Sequence, residues 1–251
     1  MNPIFDFFTG EVQGEPFYPF SQGHWGLLGI MVFLIVAMVW YYRRHPEHRQ
    51  AFRYAMGTVI LVDQLGWQLW VAATGQWAIQ SMLPFHLCSV FAYLSAYMLF
   101  TKNYRIYELA YFLGIGGALQ ALLTPETNNY PLLHYRIFQA LFSHGLIVAA
   151  AIYMTLVEGY RPTWSSILRM VVIINIYMLF VGIINWAIGS NYLYIARKPD
   201  VATALDLLGP WPWYILGMEL VGIVMALILY IPFAIRDGKR QLTDDSSLRT
   251  T

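Results

Sequence analysis

Cys88 and His144 are the two residues of this chain whose types could do covalent chemistry together. A thiol is a strong nucleophile only as the thiolate. An imidazole within hydrogen-bond reach can take that proton and later hand it to a leaving group. Both residues lie in long apolar segments, and depth can be counted from the outer end of each. Cys88 falls four residues beyond Pro84, about 6 Å deep, and His144 seven beyond Ile137, about 10 Å deep, at the rise of an α-helix. Gln120 sits three residues before Leu123, Asn185 three before Ile188, and Glu219 six beyond Trp213. The five positions span roughly two helical turns, so they form one outward-opening polar pocket if their faces converge. Glu219, Asn185 or Gln120 would then orient the imidazole. A Cys–His pair in a lipid-facing pocket suits acyl transfer from a glycerophospholipid, through a thioester, to a second lipid or to water.

The same residues have plainer uses. A lone membrane cysteine often does no more than pack, and a histidine can simply hydrogen-bond between helices. Spacing alone does not establish that Cys88 and His144 touch. His86 is a competing partner, but two residues of helix separate it from Cys88 by about 200°. It should point the other way, toward headgroups or the pocket rim, unless Pro84 distorts that turn. Asp63, Gln64 and Gln68 share one apolar segment, with Asp63 near its middle. A midplane carboxylate can be a proton or ion site, or a buried partner for Asn175 or a tyrosine hydroxyl. Asp63 with Asn175, Asn185 and Glu219 therefore supports a different class of function, a transporter or channel for a small polar solute or protons. A receptor-like bundle ranks behind both, because the cytoplasmic loops are short. Glu108 reads as an interfacial residue.

These groups must be positioned by helices that cross a membrane. Of 251 residues, 58% are hydrophobic and 12% charged, against roughly 25% charged in soluble domains. Seven apolar stretches approach the ~20 residues that span a hydrocarbon core: Trp25–Tyr42, Tyr54–Ala73, Pro84–Phe100, Ile106–Leu123, Ile137–Val157, Ile167–Ile188 and Trp213–Ile235. The expected fold is an all-α polytopic bundle of seven transmembrane helices. Twelve lysines and arginines lie in one set of connections and the C-terminal tail, while the other set holds only Arg136, Arg197 and Lys198. Basic loops stay on the cytoplasmic side, so the N-terminus should face outside and the C-terminus the cytoplasm.

Three regions follow: an aromatic-rich outer segment over 1–24, the membrane domain over 25–235, and a polar, unstructured tail over 236–251. The N-terminus lacks the basic start of a signal peptide, so the first span should be retained. The outer segment should lie against the membrane surface as a partial lid. Two outer connections, Thr124–Arg136 with Pro125, Asn128, Asn129 and Pro131, and Gly189–Pro212, should cover the polar cluster. In GIGGALQALL, over Gly114–Leu123, small residues permit close helix approach and would carry Gln120 into the interior. The loops leave no room for a soluble catalytic domain. A net charge of +1 without a basic stripe argues against nucleic acid. One cysteine excludes an internal disulfide, and nothing calls for a metal or cofactor.

PFHLCSV at Pro84–Val90, ELAYFLGIGGALQALLTPE at Glu108–Glu126 and FSHGLI at Phe142–Ile147 together resemble the YwaF and transmembrane protein 164 family. The resemblance covers nearly all seven apolar stretches. It implies a phospholipid acyltransferase with a cysteine nucleophile and a histidine, which fall on Cys88 and His144. Membrane phospholipids would be donor and acceptor, in a bacterial cytoplasmic membrane with the active site toward the outer leaflet. A more distant likeness is to the androgen-induced intramembrane hydrolases, which use a threonine and a histidine to cleave branched fatty-acid esters. Here a cysteine stands at the nucleophile position, and lipid ester hydrolysis is the corresponding alternative.

Overall fold

A computed structural model describes residues 7–11, 14–125, 130–199 and 204–248, with residues 204 and 238–248 described as backbone alone. Asn128, Asn129, the first six residues and the last three lie outside the described residues. Among the described residues there are seven long helices: α1 (Gln22–Arg44), α2 (Arg49–Ala73), α3 (Leu87–Thr101), α4 (Tyr104–Leu123), α5 (Tyr135–Leu156), α6 (Trp164–Ile188) and α7 (Trp213–Leu248). No strand occurs among the described residues. The middle of α4, Ala110–Gly114, is a π-helical stretch.

Five of these helices, α1, α4, α5, α6 and the Trp213–Asp237 part of α7, are long and apolar enough to cross a membrane. The chain is an all-helical membrane protein. The other two differ for separate reasons. Helix α2 carries Asp63, Gln64 and Gln68 among its apolar residues. Helix α3 has 15 residues, about 22 Å of rise, against a core of about 30 Å. It starts at Leu87 rather than at Pro84. At the other end, α7 continues as helix to Leu248, where an unstructured tail was expected beyond Ile235. An ion pair from Arg161 to Asp237 (2.6 Å) ties the first turn past the apolar stretch to the α5–α6 connection.

Helix α5 is the centre of the bundle. Its apolar window is 72% buried, against 6% for α1, 17% for α6 and 11% for α7. Gly145, Ala149, Ala150 and Ala151 keep its surface low, which lets neighbouring backbones approach in a medium that supplies no hydrophobic drive between helices. Helices α1, α6 and α7 present their apolar sides outward. At the basic-loop end, two buried carboxylates lock the helices together. Glu158 takes Arg53 (3.2 Å) and Lys102 (2.6 Å). Glu108, only 2% exposed, accepts from Ser166 and from Nε and Nη2 of Arg169. It is therefore a buried ion-pair partner rather than an interfacial residue. The reason is that α6 brings Arg169 and Ser166 onto the same side as the α4 start.

The opposite end is covered by the described part of the N-terminal segment. Trp70 Nε1–H donates to the Phe8 carbonyl (2.9 Å), His134 Nε2–H to Thr9 (2.9 Å) and Tyr130 O–H to Gly10 (2.8 Å). His24, fully buried, accepts the Phe20 N–H at Nδ1 (2.9 Å) and donates from Nε2 to Leu122 (2.8 Å), fixing α1 to the end of α4. His134 also caps α5, accepting the Arg136 N–H at Nδ1 (3.1 Å). Both ring nitrogens are thus engaged in the neutral form, and burial holds this imidazole below its usual range. A depressed histidine stabilises the fold above its unfolded value of about 6.5 and loses that contribution as pH falls below it. Amide exchange at residues 8–10, corrected for intrinsic rate, should accelerate from pH 7.5 to about pH 5.5. Protection that stays constant across that window would rule the linkage out.

Candidate functional site

The site begins with the way α3 starts. Pro84 has no N–H to give, and the backbone around it is irregular. Irregular backbone at membrane depth needs partners inside the protein, and side chains from three other elements supply them. Tyr192 O–H donates to the Ile79 carbonyl (2.6 Å) and accepts the Leu83 N–H (2.9 Å). Tyr177 O–H donates to Phe85 (2.9 Å), and Gln68 Nε2–H donates to Met82 (2.9 Å). Helix α3 therefore opens at Leu87, with extended His86 as its cap and no side-chain capping bond. The first ladder bond runs from Val90 N–H to the His86 carbonyl (3.0 Å). Cys88 is the second residue of this helix, so the Leu87, Cys88 and Ser89 N–H groups have no acceptor within it. They carry the partial positive charge of a helix start.

Glycines on α4 let α3 and α5 pack closely against it. A Cβ built at Gly114 would lie 3.3 Å from Ile147 of α5 and 3.4 Å from Phe91 of α3. One turn further out, a Cβ at Gly117 would lie 3.3 Å from Leu87 and 3.7 Å from the Cys88 sulfur. Cys88 is one turn outward of Phe91, and His144 one turn outward of Ile147. Residues three apart share a helix face. At Gly117 the atoms within 4 Å of such a Cβ are those of Leu87 and Cys88, so the thiol lies against α4 there, and His144 stands on α5 one turn from the Ile147 contact. His144 Nδ1 lies 2.6 Å from the Ala140 carbonyl. A carbonyl can only accept, so Nδ1 carries the proton and Nε2 keeps its lone pair.

The other candidates are dispersed. His86 turns toward the α6–α7 connection, its ring 5.2 Å from that of Tyr192 and 5.3 Å from that of Tyr194. Asn185 is buried and builds that same connection, accepting from Ser190 O–H (2.7 Å) and Tyr192 N–H (2.8 Å) and donating to the Tyr192 carbonyl (2.9 Å). Gln120 is exposed instead of interior. Ile115, Ala118 and Leu122 form the buried face of this stretch, and Gln120 stands about 200° around the helix from Ala118. Glu219 accepts a hydrogen bond from Asn175, which lies midway along α6. That places Glu219 level with the middle of α6, deeper than a count from Trp213 suggests, because α7 starts below the outer end of α6. The five-residue pocket is thus not assembled as counted.

Asp63 pairs with neither Asn175 nor a tyrosine. Its Oδ2 accepts from Gln64 (3.2 Å) and Gln139 (3.4 Å), and Gln64 also donates to Ser143 (2.9 Å). Gln68 accepts from Trp77 Nε1–H (2.9 Å) while it holds Met82. Sequence reasoning passed over Gln139 and Ser143. Their i, i+4 spacing on α5, matching Asp63 and Gln64 on α2, was the available signal. It also passed over Tyr177 and Tyr192, which carry no local signature of what they do.

The comparison that bears on this arrangement is with known families, where residues 19–230 match the TMEM164 family. The chain belongs to the TMEM164 family. No curated protein and no solved structure matches it. The matched span runs from before α1 to within α7, so it includes the α3 start, Gly114 and Gly117 of α4, and His144. In this TMEM164 family member, Gly117 is a position where added bulk would press on the thiol. An alanine there meets Leu87 at the edge of tolerance and the sulfur at ordinary contact. A valine or leucine must displace one of them. Gly117→Ala should therefore keep Cys88 alkylation by a membrane-permeant maleimide within a few-fold of wild type, while Gly117→Leu should cut it at least roughly tenfold, since tight interiors resist added methylenes. Equal alkylation in Gly117→Leu and wild type would contradict this packing.

Proposed function

We propose that this protein moves a fatty-acyl chain from a phospholipid through a thioester on Cys88, with His144 as general base. The observation that carries the reading is Cys88 in the uncapped first turn of α3, with His144 on the neighbouring helix α5 bonded through Nδ1 so that Nε2 keeps its lone pair. His144 Nε2 takes the thiol proton as sulfur attacks the donor ester carbonyl. The carbonyl oxygen becomes an oxyanion, for which the unpaired N–H groups at the α3 start are donors of the kind that stabilise such charge. When the intermediate collapses, the ester C–O bond breaks and His144 returns its proton to the departing lysophospholipid oxygen. The acyl group now sits on sulfur. In the second half His144 deprotonates an acceptor hydroxyl, which attacks the thioester and regenerates the thiol. A second lipid as acceptor makes the protein a transacylase, and water makes it a lipid hydrolase.

In this reading all seven helices lie across the bilayer with the N-terminus outside, and donor and acceptor are membrane phospholipids. The lateral grooves between α1 and α5 and between α6 and α7 are not lined by Cys88 or His144. The test is the intact mass of purified protein incubated with mixed phospholipids, before and after hydroxylamine. A fatty-acyl increment that hydroxylamine removes and Cys88→Ala lacks is the expected result. Absence of any increment in wild type and in His144→Ala would overturn covalent catalysis.

A further inference from the structure

Between α1 and α5 runs an open groove of about 690 Å³, within the ~300–1,000 Å³ range of small-molecule sites. Its walls are apolar: Met31, Ile35 and Val39 from α1, Leu119 from α4, and Val148 and Ile152 from α5 are among its lining residues. One end is different, because Arg43 and Arg44 close it. From Met31 to Arg43 is twelve residues of continuous helix, about 18 Å, the scale of an extended fatty-acyl chain within one leaflet of a ~30 Å core.

The two arginines are open to an anion. Both residues are exposed, and neither is among the ion pairs of the described residues. The Arg44 guanidinium lies 4.2 Å from the centre of the Trp40 ring and donates to the Trp40 carbonyl (3.5 Å). Arg49 donates to the Tyr42 (2.8 Å) and Arg43 (3.2 Å) carbonyls, so it satisfies the end of α1 and adds a third positive charge nearby. The nearest carboxylate in sequence, Glu47, is committed to His45 (3.2 Å) and His48 (3.7 Å). A long apolar slot that ends in unneutralised arginines matches one kind of molecule, an amphiphile with an anionic head.

We propose that this groove binds one anionic phospholipid of the leaflet beside the α1–α2 connection, its phosphate on Arg43 and Arg44 and one acyl chain along α1 and α5. Clustered basic residues at a helix end select anionic lipid over zwitterionic lipid, and guanidinium groups suit phosphate oxygens. The inner end of the chain reaches Met31, whose sulfur packs on Gly145, the neighbour of His144. The site is separate from the Cys88 thiol, and its existence does not depend on the chemistry there.

Native mass spectrometry of the delipidated protein decides it, with phosphatidylglycerol and phosphatidylcholine of equal chain length as probes. Wild type should retain a single phosphatidylglycerol at concentrations where phosphatidylcholine is lost. Arg43→Gln/Arg44→Gln should weaken that retention roughly tenfold or more and remove the preference. Val36→Trp fills the groove from a residue 60% exposed, so it should block retention without disturbing the core. Equal retention of both lipids by wild type overturns the proposal, even if a variant fails to fold. So does phosphatidylglycerol retention unchanged in both folded variants. A concentration-dependent dimer that Val36→Trp abolishes, with no lipid retained, would assign the groove to a second copy of the chain instead.

Discussion

Cys88→Ala and His144→Ala should each lower the proposed acyl transfer by about 10³-fold, and they should leave different species behind. Removal of the sulfur removes the covalent route, so Cys88→Ala carries no acyl group at any time. Removal of the imidazole takes away a proton acceptor worth roughly 10²–10⁴ in rate, but the thiol still stands at the uncapped start of α3. His144→Ala should therefore acylate slowly and release more slowly still, and a hydroxylamine-labile mass should build up over hours. Groups that act as one unit lose activity together, so the double variant should be no slower than the worse single one. Cys88→Ser is the sharper control. It keeps shape, yet an alcohol depends far more on its base than a thiol does. Single-turnover transfer from a fluorescent-chain phospholipid reads all four, with thermal melting in detergent to confirm the fold. Wild-type rates in both alanine variants would end the proposal, while equal losses accompanied by equal loss of folding would reduce both residues to packing.

Glu158→Ala should be among the most destabilising single changes in the molecule. Glu158 and Arg53 are 7% and 6% exposed at the side chain and lie 3.2 Å apart. Arg53 also donates to the Leu99 carbonyl. Loss of one member of a buried pair strands the other charge, at a cost of about 3–5 kcal/mol. Lys102 touches the same carboxylate at 2.6 Å but is 42% exposed. Water can take over its solvation, so Lys102→Ala should cost below about 1 kcal/mol. Replacement of both buried partners together, Arg53→Met/Glu158→Leu, should recover most of the loss, since apolar groups of similar volume remove the unpaired charge altogether. Denaturant or thermal titration of the purified protein ranks the three. Glu158→Ala no worse than Lys102→Ala would show that solvent reaches Arg53.

The sequence by itself determined everything that depends on local hydropathy, spacing and backbone chemistry. The apolar stretches appear as helices because a segment in lipid must satisfy its own backbone. Small residues at Gly114 and Gly117 announced a packed face of α4, and they are where α3 and α5 come close. The motif sequence led to the family. Tertiary structure alone decided which faces meet. Gln120 lies outside because Ala118 and Leu122 won the interior, and Asn185 serves a loop whose path no local pattern specifies. Glu219 meets Asn175 because α7 starts below the outer end of α6, an offset that a count along one helix cannot contain. The short α3 is the clearest case. Pro84 permits a break, but the break persists because Tyr177, Tyr192 and Gln68 arrive from other helices and a distant loop to satisfy the exposed backbone. Helix formation costs and gains within a few residues of sequence, whereas these contacts join residues 14 to 113 positions apart.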